Sequence, residues 1–400
     1  MNILFLMIIS PQIEANPNLY TELMEEFRDE GHEVYVAAID EKKNGRQTRI
    51  SMEKGIRILH IRTGNLFNVN PIEKGLTTLS LGGLFRKGLR EYYSQVKFDL
   101  VMMPTPPITF APAMDYIKKR DGAKAYLILR DIFPQNAKDL NLMNNELLFQ
   151  FFRTKEKAMY KVSDFIGCMS QGNIDYVLRH NPEVDKSKLE LLPNWSKFSP
   201  EEDKTDLKID YKAKYGIEGK FVCIFGGNIG WPQELEFLLE LVMAVKERKE
   251  IVFLIVGKGI MKPKIEKIIQ TENLTNVYLR DYLPKEDYDG LVAQCDVGLI
   301  NLDRRFTIPN IPSKTTGYFK AGIPILASID ANTDYGKILD EAKAGLWSVT
   351  GDLETYKKNL LYFMEHPEET KQMGRNGKNY LKEYLSVTKA YNTIMRHFNG

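Results

Sequence analysis

The first forty residues place a strand, a helix and a second strand in immediate succession, and this order constrains the fold more strongly than any other feature. Residues 3–9 form a continuous apolar run, as expected of a strand buried on both faces of a parallel sheet. An amphipathic segment at residues 20–28, a glycine stop at Gly31 and a second apolar run at residues 34–38 follow. This order is a βαβ unit, and its repetition predicts an α/β fold with parallel sheets.

The alternation of apolar and amphipathic segments continues through both halves of the chain and lapses once. Residues 193–220 are rich in proline, serine and charged side chains, a composition typical of a linker. We therefore predict two doubly wound domains, over residues 1–198 and 199–378, and a C-terminal helix over residues 379–400. Doubly wound sheets bind ligands at the carboxyl ends of their strands, so a ligand cleft between the domains is expected.

The composition argues against several classes of protein. A net charge of +2, without a nucleic-acid-reading motif, argues against a nucleic-acid partner. Cys168, Cys223 and Cys295 lie in or beside apolar runs, so we expect buried thiols, and the absence of a His/Cys cluster predicts no metal and no cofactor. The opening segment lacks a basic n-region, and no apolar stretch approaches the roughly 20 residues that span a bilayer. A soluble, cytoplasmic protein is therefore expected.

Two glycine-rich segments in the second half each lie between a predicted strand and a predicted helix. The first contains Gly227, Asn228 and Gly230, and the second contains Gly257 and Lys258. Glycine allows the backbone to approach a phosphate closely, and a following helix N-terminus supplies N–H donors. A tight turn between strand and helix is the alternative explanation. Neither segment matches the phosphate loop of kinases and ATPases or the GxGxxG of nicotinamide dehydrogenases, so those classes are disfavoured.

The segment at residues 299–328 carries the most specific pattern. A polar loop there leads into a helix whose first turn contains a lysine, Lys314, and a cation at that place opposes the helix dipole by roughly 0.3–1 kcal/mol. An anionic ligand would offset this cost; an exposed lysine beside a capping serine is the alternative. Tyr282, after another predicted strand, is expected either to stack on a planar base or to pack within its loop. The candidate anion-binding residues of the segment are Arg304, Arg305, Ser313, Lys314, Thr315 and Thr316.

These motifs together resemble one family of enzymes. The order GGNIG, VGKG, CDVGLINL, IPSK, GYFKAGIPILAS and AGLW, with EFRDEGHEVYVAA near the start, resembles the GT-B glycosyltransferases of family 4. More narrowly, it resembles the retaining, fucosamine-transferase-like group 1 enzymes of capsule and O-antigen synthesis, as do RDIFPQNAKDL and SDFIGCMSQGNIDYV. The resemblance implies two Rossmann-like domains facing a central cleft. The first would bind the acceptor, the second a nucleotide-sugar, with a UDP-sugar the expected donor, and the C-terminal helix would cross back to the first domain.

The resemblance also implies a metal-independent reaction with retention at the anomeric carbon, in which positive groups neutralise the leaving diphosphate. We expect Lys314 to act as the catalytic cation. Asp131 follows a predicted strand of the first domain, and we expect its carboxylate to orient or deprotonate the acceptor hydroxyl. Pairing with Arg130 or capping of the next turn is the alternative role of Asp131.

The chain departs from the wider family at two acidic positions. The two glutamates that the family carries near the donor sugar and the ribose correspond to Pro309 and Gly317 here. Asp334 or Asp303 is the candidate carboxylate that would bind a sugar hydroxyl in their place.

The leading hypothesis is a glycosyltransferase of capsular, O-antigen or exopolysaccharide biosynthesis. It would move a hexose or N-acetyl-aminosugar to a polyprenyl-diphosphate-linked or saccharide acceptor. The rival hypotheses are a nucleotide-sugar epimerase or hydrolase on the same scaffold, and a non-catalytic partner subunit that binds a nucleotide or nothing. The oligomeric state is not determined by the sequence.

Residues 81–97 alternate apolar with basic side chains, as in an amphipathic helix. This pattern predicts either a half-buried helix with a solvated basic face or a peripheral contact with anionic lipids. The family resemblance favours the second interpretation, with the protein on the inner face of the cell membrane.

Overall fold

The computed structural model describes residues 1–198 and 209–398, which divide into two compact units. The first unit comprises Met1–Pro193 and Val387–Gly400, and the second comprises Asn194–Ser386. The domain boundary expected after residue 198 falls at the start of residues 199–208, which lie outside the described residues.

The first unit is built on an eight-stranded sheet with the order β3-β4-β2-β1-β5-β6-β7-β8. All pairs are parallel except β3 with β4, which is antiparallel. The strand order reverses at β1, which pairs with β2 on one side and β5 on the other, and ligands of doubly wound sheets bind beside such a point. The strands are β1 (Asn2–Met7), β2 (Glu33–Glu41), β3 (Arg49–Glu53), β4 (Ile56–Thr63), β5 (Leu100–Pro104), β6 (Lys124–Leu129), β7 (Phe165–Cys168) and β8 (Leu189–Leu191).

Helices connect these strands and cover the sheet. Asn18 caps the first of them, since its side chain accepts hydrogen bonds from the backbone amides of Tyr20 and Thr21. The helices of this part of the chain are α1 (Leu19–Asp29), α2 (Pro71–Tyr92), α3 (Ala111–Asp121), α4 (Gln135–Asp139), α5 (Glu146–Val162) and α6 (Gln171–His180).

Residues 81–97 are not a separate amphipathic helix but contain the second half of α2. Phe85, Leu89 and Tyr93 are buried in the core of the first unit, whereas the basic side chains between them are exposed. The half-buried helix with a solvated basic face is confirmed. Phe85, Leu89 and Tyr93 are therefore not available to a membrane, and a peripheral contact through the exposed side chains of this segment stays a prediction.

The second unit is built on a six-stranded, all-parallel sheet with the order β11-β10-β9-β12-β13-β14. Its strands are β9 (Phe221–Asn228), β10 (Ile251–Lys258), β11 (Val277–Arg280), β12 (Val297–Asn301), β13 (Ile325–Ile329) and β14 (Gly345–Val349). Its helices are α7 (Tyr211–Tyr215), α8 (Leu235–Ala244), α9 (Lys262–Thr271), α10 (Lys285–Val292), α11 (Lys314–Ala321), α12 (Tyr335–Ala342), α13 (Leu353–Glu365) and α14 (Pro367–Tyr384). The strand order reverses between β9 and β12, so β9 ends at the point where a ligand is expected.

The end of the chain differs from the single helix expected over residues 379–400. Residues 379–384 complete α14 within the second unit, and a separate helix, α15 (Val387–Met395), packs against α1 in the first unit. The hydroxyl of Tyr391 on α15 lies 2.9 Å from the Nε2 of His32.

The three cysteines are buried and free, as predicted, and burial raises the pKa of each thiol. Among the described residues, no helix combines the length and the apolar character needed to cross a bilayer.

Candidate active site

The two glycine-rich segments lie side by side at the carboxyl edge of the second sheet. β9 and β10 pair in register from their first residues to Gly227 opposite Gly257 and Asn228 opposite Lys258. A side chain at Gly257 would place its Cβ 1.9 Å from the carbonyl oxygen of Gly227, so only glycine fits there. Gly227 has a φ of 116°, in the region that favours glycine. The glycines therefore allow two strand ends to approach each other closely.

The segment after Gly227 does not lead directly into a helix, so the helix N-terminus expected beside the glycines is displaced from them. Ile229 donates its amide to the carbonyl of Lys258, and a short 3-10 turn (Trp231–Gln233) separates the glycines from α8. Gly230 donates its amide to the side chain of Gln233 at 3.1 Å. The N-terminus of α8 therefore does not supply the amide donors that were expected at Gly227–Gly230.

Lys314, the first residue of α11, lies beside the glycine turn. Its Cε would be 3.2 Å from a Cβ placed on Gly227, and its Nζ lies 4.4 Å from the centroid of the Phe225 ring. No carboxylate of the described residues forms an ion pair with it. Desolvation by the surrounding protein lowers the pKa of Lys314 to about 8. A desolvated ammonium group without a counter-ion, next to a backbone turn without side chains, is an arrangement suited to an anionic ligand.

Lys258 and Tyr282 form a second, more exposed part of the same edge. The ammonium group of Lys258 lies 5.1 Å from the centroid of the Tyr282 ring, a cation–π contact. Tyr282 follows β11, the neighbour of β10, and is 54% exposed. An aromatic face and a cation are thus available beside the glycine turn.

Both arginines predicted to bind the diphosphate are already paired with carboxylates. The guanidinium of Arg304 lies 2.6 Å from Glu234, and Glu234 also accepts the backbone amide of Arg304. Arg305 binds the buried carboxylate of Asp303 through two of its nitrogens. These pairs remove the net positive charge on which the prediction for Arg304 and Arg305 rested. They also occupy Asp303, which was one candidate for the missing acidic group.

The hydroxyl groups around the start of α11 point in different directions. Thr315 directs its hydroxyl into the core, 2.6 Å from the hydroxyl of Tyr335, so its predicted role as a ligand is wrong. Thr316 donates its hydroxyl to the carbonyl of Ser313 at 3.1 Å. Ser313 precedes Lys314 with an exposed side chain that caps no helix amide. Asp334 is half-buried at the residue before α12.

In the first unit, Asp131 lies at the carboxyl edge of the sheet, two residues after the end of β6. The hydroxyl oxygen of Thr105 accepts its amide at 3.1 Å and the amide of Arg130 at 2.8 Å, which fixes the backbone. Desolvation raises the pKa of the Asp131 carboxyl to about 6, although the charge of Arg130 opposes this shift. The Arg130 guanidinium also donates to the carbonyl of Leu192 at 3.0 Å. Arg130 therefore offsets only part of the cost of desolvating Asp131.

Sequence reasoning missed two aromatic residues of these sites. Phe225, on β9, supplies the ring beneath Lys314, but an aromatic residue in a buried strand looks like any other core residue. Tyr20, at the start of α1, is close enough to Arg130 and Asp131 for their charges to act on its hydroxyl, and burial raises its pKa. No local pattern in the sequence links a residue of α1 to the end of β6.

Comparison with known proteins gives matches of two kinds. Residues 208–380 match the family model described as glycosyl transferases group 1. The probable glycosyltransferase WbjE of Pseudomonas aeruginosa is 24% identical over 254 residues, which cover 62% of this chain and 61% of that protein. The putative colanic acid biosynthesis glycosyl transferase WcaI of Escherichia coli (strain K12) is 24% identical over 252 residues, 61% of this chain and 60% of that protein. The chain thus matches about three fifths of the length of these relatives.

Among solved structures, Anabaena Alr3699/HepE in complex with UDP and glucose resembles the chain with a TM-score of 0.70 and 13% identity. The match covers 100% of this chain and 99% of that chain. At this level of identity the likeness concerns the fold alone.

Proposed function

We propose that the chain is a group 1 glycosyltransferase of GT-B fold and that it transfers a sugar from a nucleotide-sugar to an acceptor hydroxyl. The observation that supports this proposal most directly is the position of Lys314. It is a desolvated ammonium group without a counter-ion in the described residues, beside a glycine turn at the end of β9. A diphosphate is the anion that such an enzyme must bind and release.

We propose UDP as the nucleotide, since HepE was solved with UDP and with UDP-glucose. The exposed ring of Tyr282 is the proposed platform for the uracil base, and Lys258 above it is the second cation of the site. Ser313, whose exposed hydroxyl precedes α11, is the proposed hydroxyl donor. Asp334 is the proposed carboxylate for the sugar hydroxyl, in place of the glutamates absent from positions 309 and 317.

The proposed reaction retains configuration at the anomeric carbon. The bond between that carbon and the diphosphate oxygen breaks, and a bond to the acceptor oxygen forms on the same face of the sugar. Lys314 stabilises the negative charge on the departing diphosphate. The proton of the acceptor hydroxyl passes to the departing phosphate oxygen, and Asp131 orients that hydroxyl.

The proposed setting is polysaccharide biosynthesis, which the name of WcaI supports through colanic acid. The acceptor would be a saccharide or a polyprenyl-diphosphate-linked sugar, used at the inner face of the membrane. The first unit would bind this acceptor, because Asp131 lies at its sheet edge.

Calorimetry with UDP tests the donor site on the full chain. Lys314→Met removes the charge but keeps the length of the side chain, and Lys358→Met on α13 is the matched control at an exposed lysine. UDP should bind the wild type and the control, and should bind Lys314→Met at least tenfold more weakly. Turnover of Lys314→Met should fall tenfold to a thousandfold, for a loss of roughly 1.4–4 kcal/mol of leaving-group stabilisation.

Release of UDP from UDP-sugars, with and without an acceptor extract, tests the reaction class. Release that requires the acceptor supports a transferase. Release without acceptor identifies a hydrolase, interconversion of sugars identifies an epimerase, and no UDP binding at millimolar concentration identifies a non-catalytic subunit.

A further inference from the structure

A cavity of about 510 Å³ opens in the first unit at the carboxyl ends of β1, β2 and β4. This volume lies within the range of small-molecule sites in proteins. Its wall includes the loop that follows β1, the end of β2 and the β3–β4 hairpin. The proposed function uses none of these residues.

The floor of the cavity is a buried imidazole held between two hydroxyl groups. The Nδ1 of His60 lies 3.0 Å from the hydroxyl of Ser10, and its Nε2 lies 2.7 Å from the hydroxyl of Ser51. Burial lowers the pKa of His60, and the charge of Arg49 lowers it further, so the ring is neutral at pH 7. A neutral imidazole donates one hydrogen bond and accepts one. One serine therefore keeps its own proton to donate elsewhere, and Ser10 and Ser51 both line the cavity.

The charged wall of the cavity contains three carboxylates, Asp40, Glu41 and Glu53, and two cations, Arg46 and Arg49. Asp40 accepts hydrogen bonds from Asn44, at 2.7 Å, and from Arg49. Burial by itself raises the pKa of Asp40, but these hydrogen bonds and the charges of Arg49 and Arg46 together outweigh burial and lower it below its ordinary value. Arg46 and Gln12 also line the cavity, both are exposed, and neither side chain forms a hydrogen bond or ion pair with the described residues. The side chains of Arg46 and Gln12 can therefore donate hydrogen bonds to a ligand in the cavity, whereas Asp40 already accepts hydrogen bonds from Asn44 and Arg49.

Two large apolar side chains complete the wall, and both are exposed to solvent although side chains of this kind are usually buried. Ile9 is 59% exposed and Phe67 is 41% exposed, and both border the cavity. A pyranose ring presents hydroxyl groups around its edge and C–H groups on its faces. It can therefore satisfy the guanidinium, amide and serine groups and cover the apolar wall at the same time. We propose that this cavity binds a sugar ring.

The position of the cavity indicates which sugar ring it binds. Ser10 follows β1 and Asp131 follows β6, and β5 lies between these strands, so the two positions are about 10 Å apart for two strand spacings. The segment after β1 connects the cavity with the surroundings of Asp131. It begins at Ile8 in the cavity wall and continues into α1, where Tyr20 lies near Asp131. One ring cannot fill the cavity and also present its hydroxyl to Asp131.

This inference rests on the proposed function, and it specifies the acceptor. The acceptor contains at least two sugars: one presents its hydroxyl to Asp131, and the neighbouring ring occupies the cavity. Arg46 and Gln12 are the residues that select that neighbouring ring.

Saturation-transfer NMR on the full chain tests this site without any need for turnover. The probes are a panel of methyl glycosides (glucose, galactose, N-acetylglucosamine, glucuronic acid) and the disaccharides cellobiose, chitobiose and a glucuronyl-glucose. Gln12→Trp fills the mouth of the cavity from an exposed position, and Arg46→Ala removes the exposed cation. Arg86→Ala, an exposed arginine on α2, is the matched control.

At least one disaccharide should bind the wild type and Arg86→Ala equally. Gln12→Trp should abolish that binding, and Arg46→Ala should weaken it about tenfold, as expected when a hydrogen bond to a charged group is removed. Equal binding to all four proteins, or no binding by any member of the panel, would overturn the proposal. UDP calorimetry on the same variants separates the two proposals, because neither Gln12→Trp nor Arg46→Ala should change the affinity for UDP. If the wild type binds a saccharide but does not bind UDP, the result would instead count against the proposed function.

Discussion

The two units place desolvated charges of opposite sign at the carboxyl edges of their sheets. In the second unit the charge is the ammonium of Lys314, whose pKa desolvation lowers to about 8. In the first unit it is the carboxylate of Asp131, whose pKa desolvation raises to about 6. Both shifts are directed towards the neutral form, because neither group has a counter-charge strong enough to offset the loss of water. Each unit therefore keeps a charge at a cost in stability.

The difference in sign shows what each edge is suited to bind. A cation beside a glycine turn attracts a phosphate, whereas a carboxylate with a raised pKa can accept a proton or a hydroxyl hydrogen bond near neutral pH. The paired charges of the second unit provide the contrast. The guanidinium and the backbone amide of Arg305 both bind the carboxylate of Asp303. Such a pair stabilises the loop and leaves less charge for a ligand.

The largest effect is expected from Asp131→Asn, which removes the charge from the first unit. Turnover should fall about a hundredfold, as for the loss of a group that positions a reacting hydroxyl. Thermal stability at pH 7 should rise, because the variant no longer desolvates a carboxylate. Asp175→Asn on the exposed face of α6 should change neither quantity. Full activity in Asp131→Asn would show that the carboxylate is only structural.

The sign of the stability effect follows from the raised pKa. As pH rises from about 4 to 6, the unfolded chain releases the Asp131 proton first, so the folded state loses stability over this window. On going from pH 4 to pH 7, the melting temperature of the wild type should therefore change by a more negative amount than that of Asp131→Asn. Identical pH dependence in the two proteins would contradict the assigned shift.

The next effect concerns the pH dependence of the second unit. UDP affinity should fall above pH 8, approaching tenfold per pH unit, as Lys314 loses its proton. Protein stability without ligand should change in the opposite direction, because the folded state releases the proton before the unfolded chain does. Calorimetry between pH 6.5 and 9.5 measures the first trend. A flat profile would show that UDP binds without the charge of Lys314.

A side chain at the glycine turn should have a smaller effect. Gly227→Ala forces a residue with a Cβ into a φ of 116° and against Lys314, so UDP should bind about tenfold more weakly. Gly83→Ala is the control, because nothing lies within 4 Å of a Cβ there and the position is within α2 of the first unit. The control should keep UDP affinity and gain about 0.5–1 kcal/mol of stability. Equal UDP affinity in both variants would remove the glycine turn from the site.

The smallest effect is expected where charges are already paired. Arg304→Gln and Arg305→Gln should change UDP affinity by no more than about threefold, because each guanidinium is neutralised by a carboxylate. Calorimetry under the conditions used for Lys314→Met gives the comparison. A loss of tenfold or more for either arginine would mean that the pairs open to bind the nucleotide, and the contrast with Lys314 would no longer hold.

Local sequence patterns predicted most of the architecture and part of the proposed donor site. Continuous apolar runs marked the parallel strands, and glycine after β9 and β10 marked the place where two strand ends meet. Lys314 could be predicted because its position in the first turn of a helix conflicts with the helix dipole, and a conflict of this kind is visible within a few residues. The antiparallel β3 was missed, since Arg49–Glu53 alternates with polar side chains at a sheet edge and lacks a buried run.

The sequence by itself determined the order of strands and helices, the glycine turns and the lysine at the start of α11, because each depends on contacts within a few residues. Only the tertiary structure decided which charges are paired. Arg304 meets Glu234 from seventy residues away, Thr315 turns to Tyr335, and Ser10 and Ser51 enclose His60. Burial and pairing depend on residues brought together from distant parts of the chain, and these interactions separate a structural charge from a functional one.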